Sequence, residues 1–191
     1  MDKTVRSRIL QEASELFNAK GYRSVTLGEL ATSLGISKKT LYLYFRGKED
    51  LAEAVLDLTM TQIAAAISEA TRQPGAPADI FTATFKAIKQ EMLKLNPLFL
   101  EDLIKYAPGL WTKVERFRAR QLTFIEQLLE KAQQDGVIRE VNPRLITLLF
   151  TESVQQFVRP DYAAKHGLAI TDIADALFML FIESIRTKER S

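Results

Sequence analysis

Apolar side chains recur along almost the whole chain at steps of three and four residues, the spacing of one face of an α-helix. Ile9, Leu10, Ala13, Leu16 and Phe17 make the first stripe and predict a helix from about Val5 to Lys20, ended by Gly21. Leu27, Leu30, Ala31 and Leu34 make a second. Thr26 and Glu29 fit a capping box at its start, a hydroxyl at N-cap and a carboxylate three residues on. Gly35 follows at once, where a left-handed residue closes a helix. Ser37 then caps a third helix, from which Leu41 and Phe45 point back at the second. Gly47 and Lys48 open a long helix to about Arg72, and the run QPGAP from Gln73 to Pro77 breaks it. Further helices are expected at 78–95, 97–106, 110–135, 143–158 and 171–187, with an irregular stretch holding His166 and Gly167 before the last. With no strand signal and no internal repeat, the fold class is all-α.

The two short helices around Gly35 carry the most specific pattern. Ala31, Gly35 and Leu41 stand four and six residues apart. In a helix-turn-helix the first must be small where helices cross, the second must turn, and the third packs in the angle. Lys38, Lys39, Thr40, Tyr42, Leu43 and Tyr44 are left facing outward. Ammonium and hydroxyl groups suit phosphate oxygens, and Lys and Thr also reach base edges. A helical hairpin with a solvated basic face would share that bare pattern.

The tail LYLYFRGKEDL sharpens the choice. From Ile9 to Leu51 the chain resembles the DNA-binding domain of the TetR family of bacterial transcription regulators. The resemblance is carried by Ile9, Ala13, Phe17, Gly21, Tyr22, Thr26, Ala31, Gly35, Ile36, Ser37, Thr40, Leu41, Tyr42, Tyr44, Phe45, Lys48, Glu49 and Leu51. It implies that Tyr42, Tyr44 and Lys48 touch phosphates and that the residues from Ser37 through Lys38 and Lys39 to Thr40 approach bases. Thr26 joins them as a DNA-binding candidate. Two positions depart from the family pattern. Gly28 sits early in the first motif helix, at a cost of about 1 kcal/mol relative to alanine. Lys39 replaces a residue that is often small, which leaves the base preference open.

Charge follows the same division. The net charge is only +2, but residues 1–50 hold nine Lys/Arg against six Asp/Glu. The positive excess therefore lies with the motif, at a level that favours binding in pairs. The expected organisation is an N-terminal three-helix helix-turn-helix domain over 1–47, followed by a larger helical domain over 48–191 for ligand binding and dimerisation.

Two C-terminal helices are too apolar for one buried face. In 143–158 eight of 16 residues are large and apolar, and in 170–185 eleven of 16 are apolar. Burial in the chain's own core is one account. The other is packing against a second copy, for which Leu149, Val154, Phe157, Leu177, Phe178 and Phe181 are the candidates. The resemblance implies a dimer of this kind, which would present two recognition helices to a palindromic operator in double-stranded DNA.

The middle of the chain is rich in aromatic residues, and polar residues interrupt its apolar stripes. Phe85, Phe99, Trp111, Arg118, Gln121, Phe124 and Glu152 are the candidates for a pocket holding a small apolar or amphipathic effector. Simple core packing and a solvated arginine edge remain open for the same residues. Catalysis finds no support. The single histidine, His166, has no cysteine or acidic cluster beside it, and no nucleophile elbow or phosphate-binding glycine loop occurs. No cofactor and no metal are expected. There are no cysteines, no apolar leader and no run of 18 apolar residues, so a soluble cytoplasmic regulator without a membrane role is expected. The expected function is a repressor released from its operator by a ligand. The alternative is a helical DNA-binding or adaptor protein without a ligand or specific operator.

Overall fold

The computed structural model describes residues 3–187 apart from Leu95. The described residues form ten α-helices and one short 3-10 turn. In chain order they are α1 Lys3–Ser24, α2 Leu27–Leu34, α3 Lys38–Tyr42, α4 Lys48–Thr71, α5 Pro77–Met92, α6 Pro97–Tyr106, α7 Pro108–Gln134, α8 Pro143–Phe157, α9 Pro160–His166 and α10 Ile170–Ile182. The 3-10 turn Glu183–Ile185 follows α10.

The chain divides into two compact units. The first takes in Met1–Gln62 together with Lys94–Glu115, and the second takes in Ile63–Leu93 with Arg116–Ser191. The first unit is therefore larger than the N-terminal three helices, because α6 packs along α1. Phe17 of α1 and Phe99 of α6 are both fully buried, and their rings stack at 5.2 Å with parallel planes. Leu51, Ala52, Val55, Leu56 and Met60 of α4 add a buried stripe to the same unit. Lys113 of α7 bonds the carboxylates of Glu53 and Asp57 on α4 at 2.9 and 2.7 Å. By length and mean hydropathy α4 could cross a membrane. Leu51, Ala52, Val55, Leu56 and Met60 nevertheless recur at helical steps and lie buried within this unit, as on the inner face of a core helix.

In the second unit Phe81 and Phe85 of α5 pack with ring centroids 4.8 Å apart. Phe150 of α8 meets the edges of Phe178 and Phe181 of α10 at 4.9 and 5.6 Å. Ala163 of α9 and Ile173 and Leu177 of α10 form a buried cluster, bordered by Val154, Phe157 and Tyr162. An antiparallel bridge pairs Ile138 with Arg186, with Arg139 N–H donating to Ile185 O and Thr187 N–H to Val137 O.

The predicted helices are present, with corrections of length and one of kind. The last, expected over 171–187, ends at Ile182, and the 3-10 turn and the bridged Arg186 follow it. The stretch expected to be irregular before the last helix is α9, which Gly167 ends in the left-handed conformation at φ 65. At seven residues, α9 is too short for periodicity to separate it from a loop. The helix expected over 78–95 ends at Met92, and its last position, Leu95, lies outside the described residues.

Candidate nucleic-acid interface

The turn between α2 and α3 forms as its residue types require. Thr26 Oγ1 accepts from the backbone N–H of Glu29 at 3.1 Å and caps α2. The Glu29 carboxylate bonds the Lys20 ammonium and the Thr26 backbone, and those partners hold it below the usual carboxylate range. Gly35, at φ 66, closes the helix, and the next N–H, that of Ile36, returns to Ala31 O at 3.0 Å. Ser37 Oγ then accepts from Thr40 N–H at 3.0 Å and caps α3. Leu30, Ala31, Leu41 and Phe45 are buried where the two helices cross, and the Arg6 guanidinium lies over the Phe45 ring at 5.3 Å. Buried apolar residues on one side fix what the other side presents. Ser37, Lys38, Lys39 and Tyr42 are exposed, and Thr40 and Tyr44 are half-buried beside them. Leu43 is exposed as well.

Lys48 differs from the other candidates. Its ammonium donates to Arg23 O at 3.0 Å and sits 4.5 Å from the centre of the Tyr22 ring. Burial pulls its pKa down, against the opposing charge of Asp102. Burial also raises the pKa of the Tyr22 phenol, with the Glu49 charge adding to it. Lys48 thus fastens the end of α1 to the start of α4. An ammonium has three donors, so this bond leaves donors for a phosphate. Asp102 of α6 completes the junction: its Oδ2 accepts from Arg23 N–H, and the Arg23 side chain bonds Tyr106 Oη at 3.1 Å.

A motif with this turn geometry and this exposed polar face is what a reader of duplex DNA presents, and likeness to known proteins agrees. The bacterial regulatory proteins of the tetR family have a sequence profile that matches residues 9–55. HTH-type transcriptional regulator YvaF of Bacillus subtilis is 33% identical over 185 residues, covering 93% of this chain and 94% of its own. The chain belongs to the TetR family. It is a DNA-binding transcriptional regulator and not an enzyme. HTH-type transcriptional repressor KstR2 of Mycolicibacterium smegmatis is 31% identical over 140 residues, 70% of this chain and 67% of that one. Among solved structures, a TetR-family regulator from Marinobacter aquaeolei VT8 matches with a TM-score of 0.78 at 21% identity, over 99% of this chain and 93% of the other. AibR, solved in complex with isovaleryl coenzyme A and operator DNA, matches with a TM-score of 0.65 at 21% identity, over 92% and 97% of the two chains.

The other expected sites scatter in this TetR-family fold. Of the pocket candidates, Phe99 stacks on Phe17 in the first unit, and Trp111 belongs to the same unit. Phe85, Arg118, Gln121, Phe124 and Glu152 fall in the second unit, where Phe85 is buried, Arg118, Gln121 and Phe124 are half-buried and Glu152 is exposed. Of the dimer candidates, Leu177 and Phe178 are buried within the chain, and Val154, Phe157 and Phe181 border the same core. The physical reason is α9, whose Ala163 and Tyr162 take up one face of the apolar helices. Leu149 remains half exposed, in company that the sequence reading missed: Leu145 and Leu148 on α8, and Met179 and Leu180 on α10. Their exposed face becomes legible only once the buried face of each helix is known.

Proposed function

We propose that the chain works in the cytoplasm as a homodimeric repressor that holds a palindromic operator until a small apolar or amphipathic molecule releases it. The observation that carries the dimer is the exposed apolar face of α8 and α10. Leu145, Leu148, Leu149, Met179 and Leu180 are each between 42% and 62% exposed. Monomeric proteins rarely leave a patch of this kind uncovered, and one self-complementary face is what a twofold dimer needs. Leu149 keeps its place in that face, while Leu177, Phe178 and the residues bordering them support it from below. Two such chains would present two copies of α3 to matching half-sites.

The ligand reading is supported by named relatives. AibR carries isovaleryl coenzyme A together with operator DNA in its structure, and KstR2 of Mycobacterium tuberculosis, matched with a TM-score of 0.66, is described as a ketosteroid transcriptional regulator. An isovaleryl group and a ketosteroid are both apolar, which suits a second unit whose inner faces hold Phe81, Phe85 and Phe150. Phe85, Arg118, Gln121 and Phe124 are the residues proposed to meet the ligand. DNA contacts are proposed for Thr26, Ser37, Lys38, Lys39, Thr40, Tyr42, Tyr44 and Lys48. Release then requires that the ligand prefer a conformation with the wrong spacing between recognition helices. The test is footprinting on the DNA beside the gene, with acyl-coenzyme A and steroid panels added. Protection over a palindrome that a panel member abolishes supports the reading, and uniform protection unaffected by every panel member overturns it.

A further inference from the structure

Gly28 occupies the second position of α2, where alanine is the better helix former. Its φ is not positive, so backbone conformation does not require glycine there. What lies over it is a side chain. A Cβ at position 28 would fall 2.9 Å from Cε and 3.1 Å from Nζ of Lys38, with Thr26 Oγ1 at 3.7 Å. Lys38 opens α3, the helix whose outer face the motif offers to base edges. Its stem does not run out along that face. It folds back across the first turn of α2, with its ammonium over Gly28. In a helix-turn-helix the second helix lies in the groove while the first crosses the sugar-phosphate backbone. A lysine that starts on the reading helix is thereby aimed at the backbone side.

We propose that Gly28 is a specificity-determining position: its missing side chain seats Lys38 on α2, committing that lysine to a phosphate and leaving base readout to Lys39 and Thr40. An alanine at 28 displaces only the far end of a flexible side chain, so it unseats the lysine without disturbing the fold. The freed ammonium then reaches bases that the parent chain does not read. A phosphate contact and a base contact leave different signatures. Loss of the first weakens every duplex alike and flattens the salt dependence, whereas loss of the second relaxes preference at one position.

The experiment selects duplexes from a random-sequence pool with four full-length proteins: the parent, Gly28→Ala, Lys38→Ala and the double variant. Lys38→Ala is expected to select the parent's sequence. It should bind that duplex and a random duplex more weakly by one common factor, roughly tenfold to a hundredfold for the dimer at about 0.1 M salt, with a log–log salt slope shallower by about 1.8, about 0.9 for each protomer. Gly28→Ala is expected to melt no lower than the parent and to select a changed base, a change that vanishes in the double variant. A new selected sequence for Lys38→Ala overturns the proposal whatever Gly28→Ala does. So does an unchanged selection by Gly28→Ala, or a change that persists when Lys38 is absent.

Discussion

Asp102 Oδ2 lies 2.7 Å from the backbone nitrogen of Arg23, and a Cβ on Gly21 would meet that same oxygen at 2.5 Å. Gly21 has φ 76 and ψ 168, a region open almost only to glycine. The kink at the end of α1 and the seat for an α6 carboxylate are therefore one feature. Gly21→Ala should lose about 2–3 kcal/mol, from backbone strain and displacement of the carboxylate together. Asp102→Ala should lose about 0.5–1.5 kcal/mol, the net worth of a hydrogen bond whose Arg23 N–H can turn to water instead. Urea unfolding of the full chain measures both.

Phe99→Ala should cost about 3–5 kcal/mol, the usual range for removing a buried aromatic ring. Its partner is Phe17 in the DNA-binding unit. The loss should appear as easier unfolding and weaker binding to any duplex. Ligand titration of the still-folded variant at low temperature should give the parent's affinity.

The C-terminal helices offer a contrast between neighbours. Leu149→Glu combined with Leu180→Glu alters two exposed positions, and sedimentation should show monomers with an unchanged helical spectrum. Leu177→Ala, three residues from Leu180 but 8% exposed, should instead lower stability by about 2–5 kcal/mol. A dimer that survives both glutamates would contradict the assignment of this face.

In the motif, Tyr42→Ala removes an exposed phenol and should weaken binding to all duplexes alike without shifting the melting temperature. Lys48→Ala should do the same to binding and also cost stability. It loses the bond to Arg23 O and the contact with the Tyr22 ring, together about 1–2 kcal/mol. Lys39→Ala should change which base is selected. Equal loss across sequences would place Lys39 on a phosphate instead.

Acid should loosen the motif through Glu29. Its folded pKa is depressed below 4.5, chiefly by the Lys20 bond. A depressed carboxylate contributes stability that is complete above its unfolded pKa and is lost as pH falls through the folded value. The loss therefore begins as pH falls through the ordinary carboxylate value and is complete once it is below the lowered folded value. Melting temperatures of the parent and Glu29→Gln, compared between about pH 3 and 6, should converge at the acid end. Added salt should narrow the gap, because the pair is exposed.

The motif was legible in the sequence because each of its residues answers a local demand. Thr26 and Ser37 cap, Gly35 turns, and Leu41 packs, all within a few residues of their partners. The place of Phe99 is less legible for the opposite reason. Its partner, Phe17, lies 82 positions earlier, and nothing local distinguishes a ring that closes a core from one that lines a cavity. The burial of Leu177 and Phe178 is hidden in the sequence for a similar reason, because α9, the helix that covers their core, is too short to announce itself. Gly28 looked like a small defect in helix propensity. Only the folded-back stem of Lys38 gives its missing side chain a purpose.

The stacking of Phe17 on Phe99 also bears on modularity. A contiguous piece ending near residue 55 carries the whole reading motif but leaves behind the ring that covers Phe17. Such a piece grafted onto another regulator would expose an apolar surface that its new host did not evolve to cover. Exchange of reading heads among relatives should therefore succeed only when the segment around 94–115 travels with them, as two separated stretches of gene inherited together.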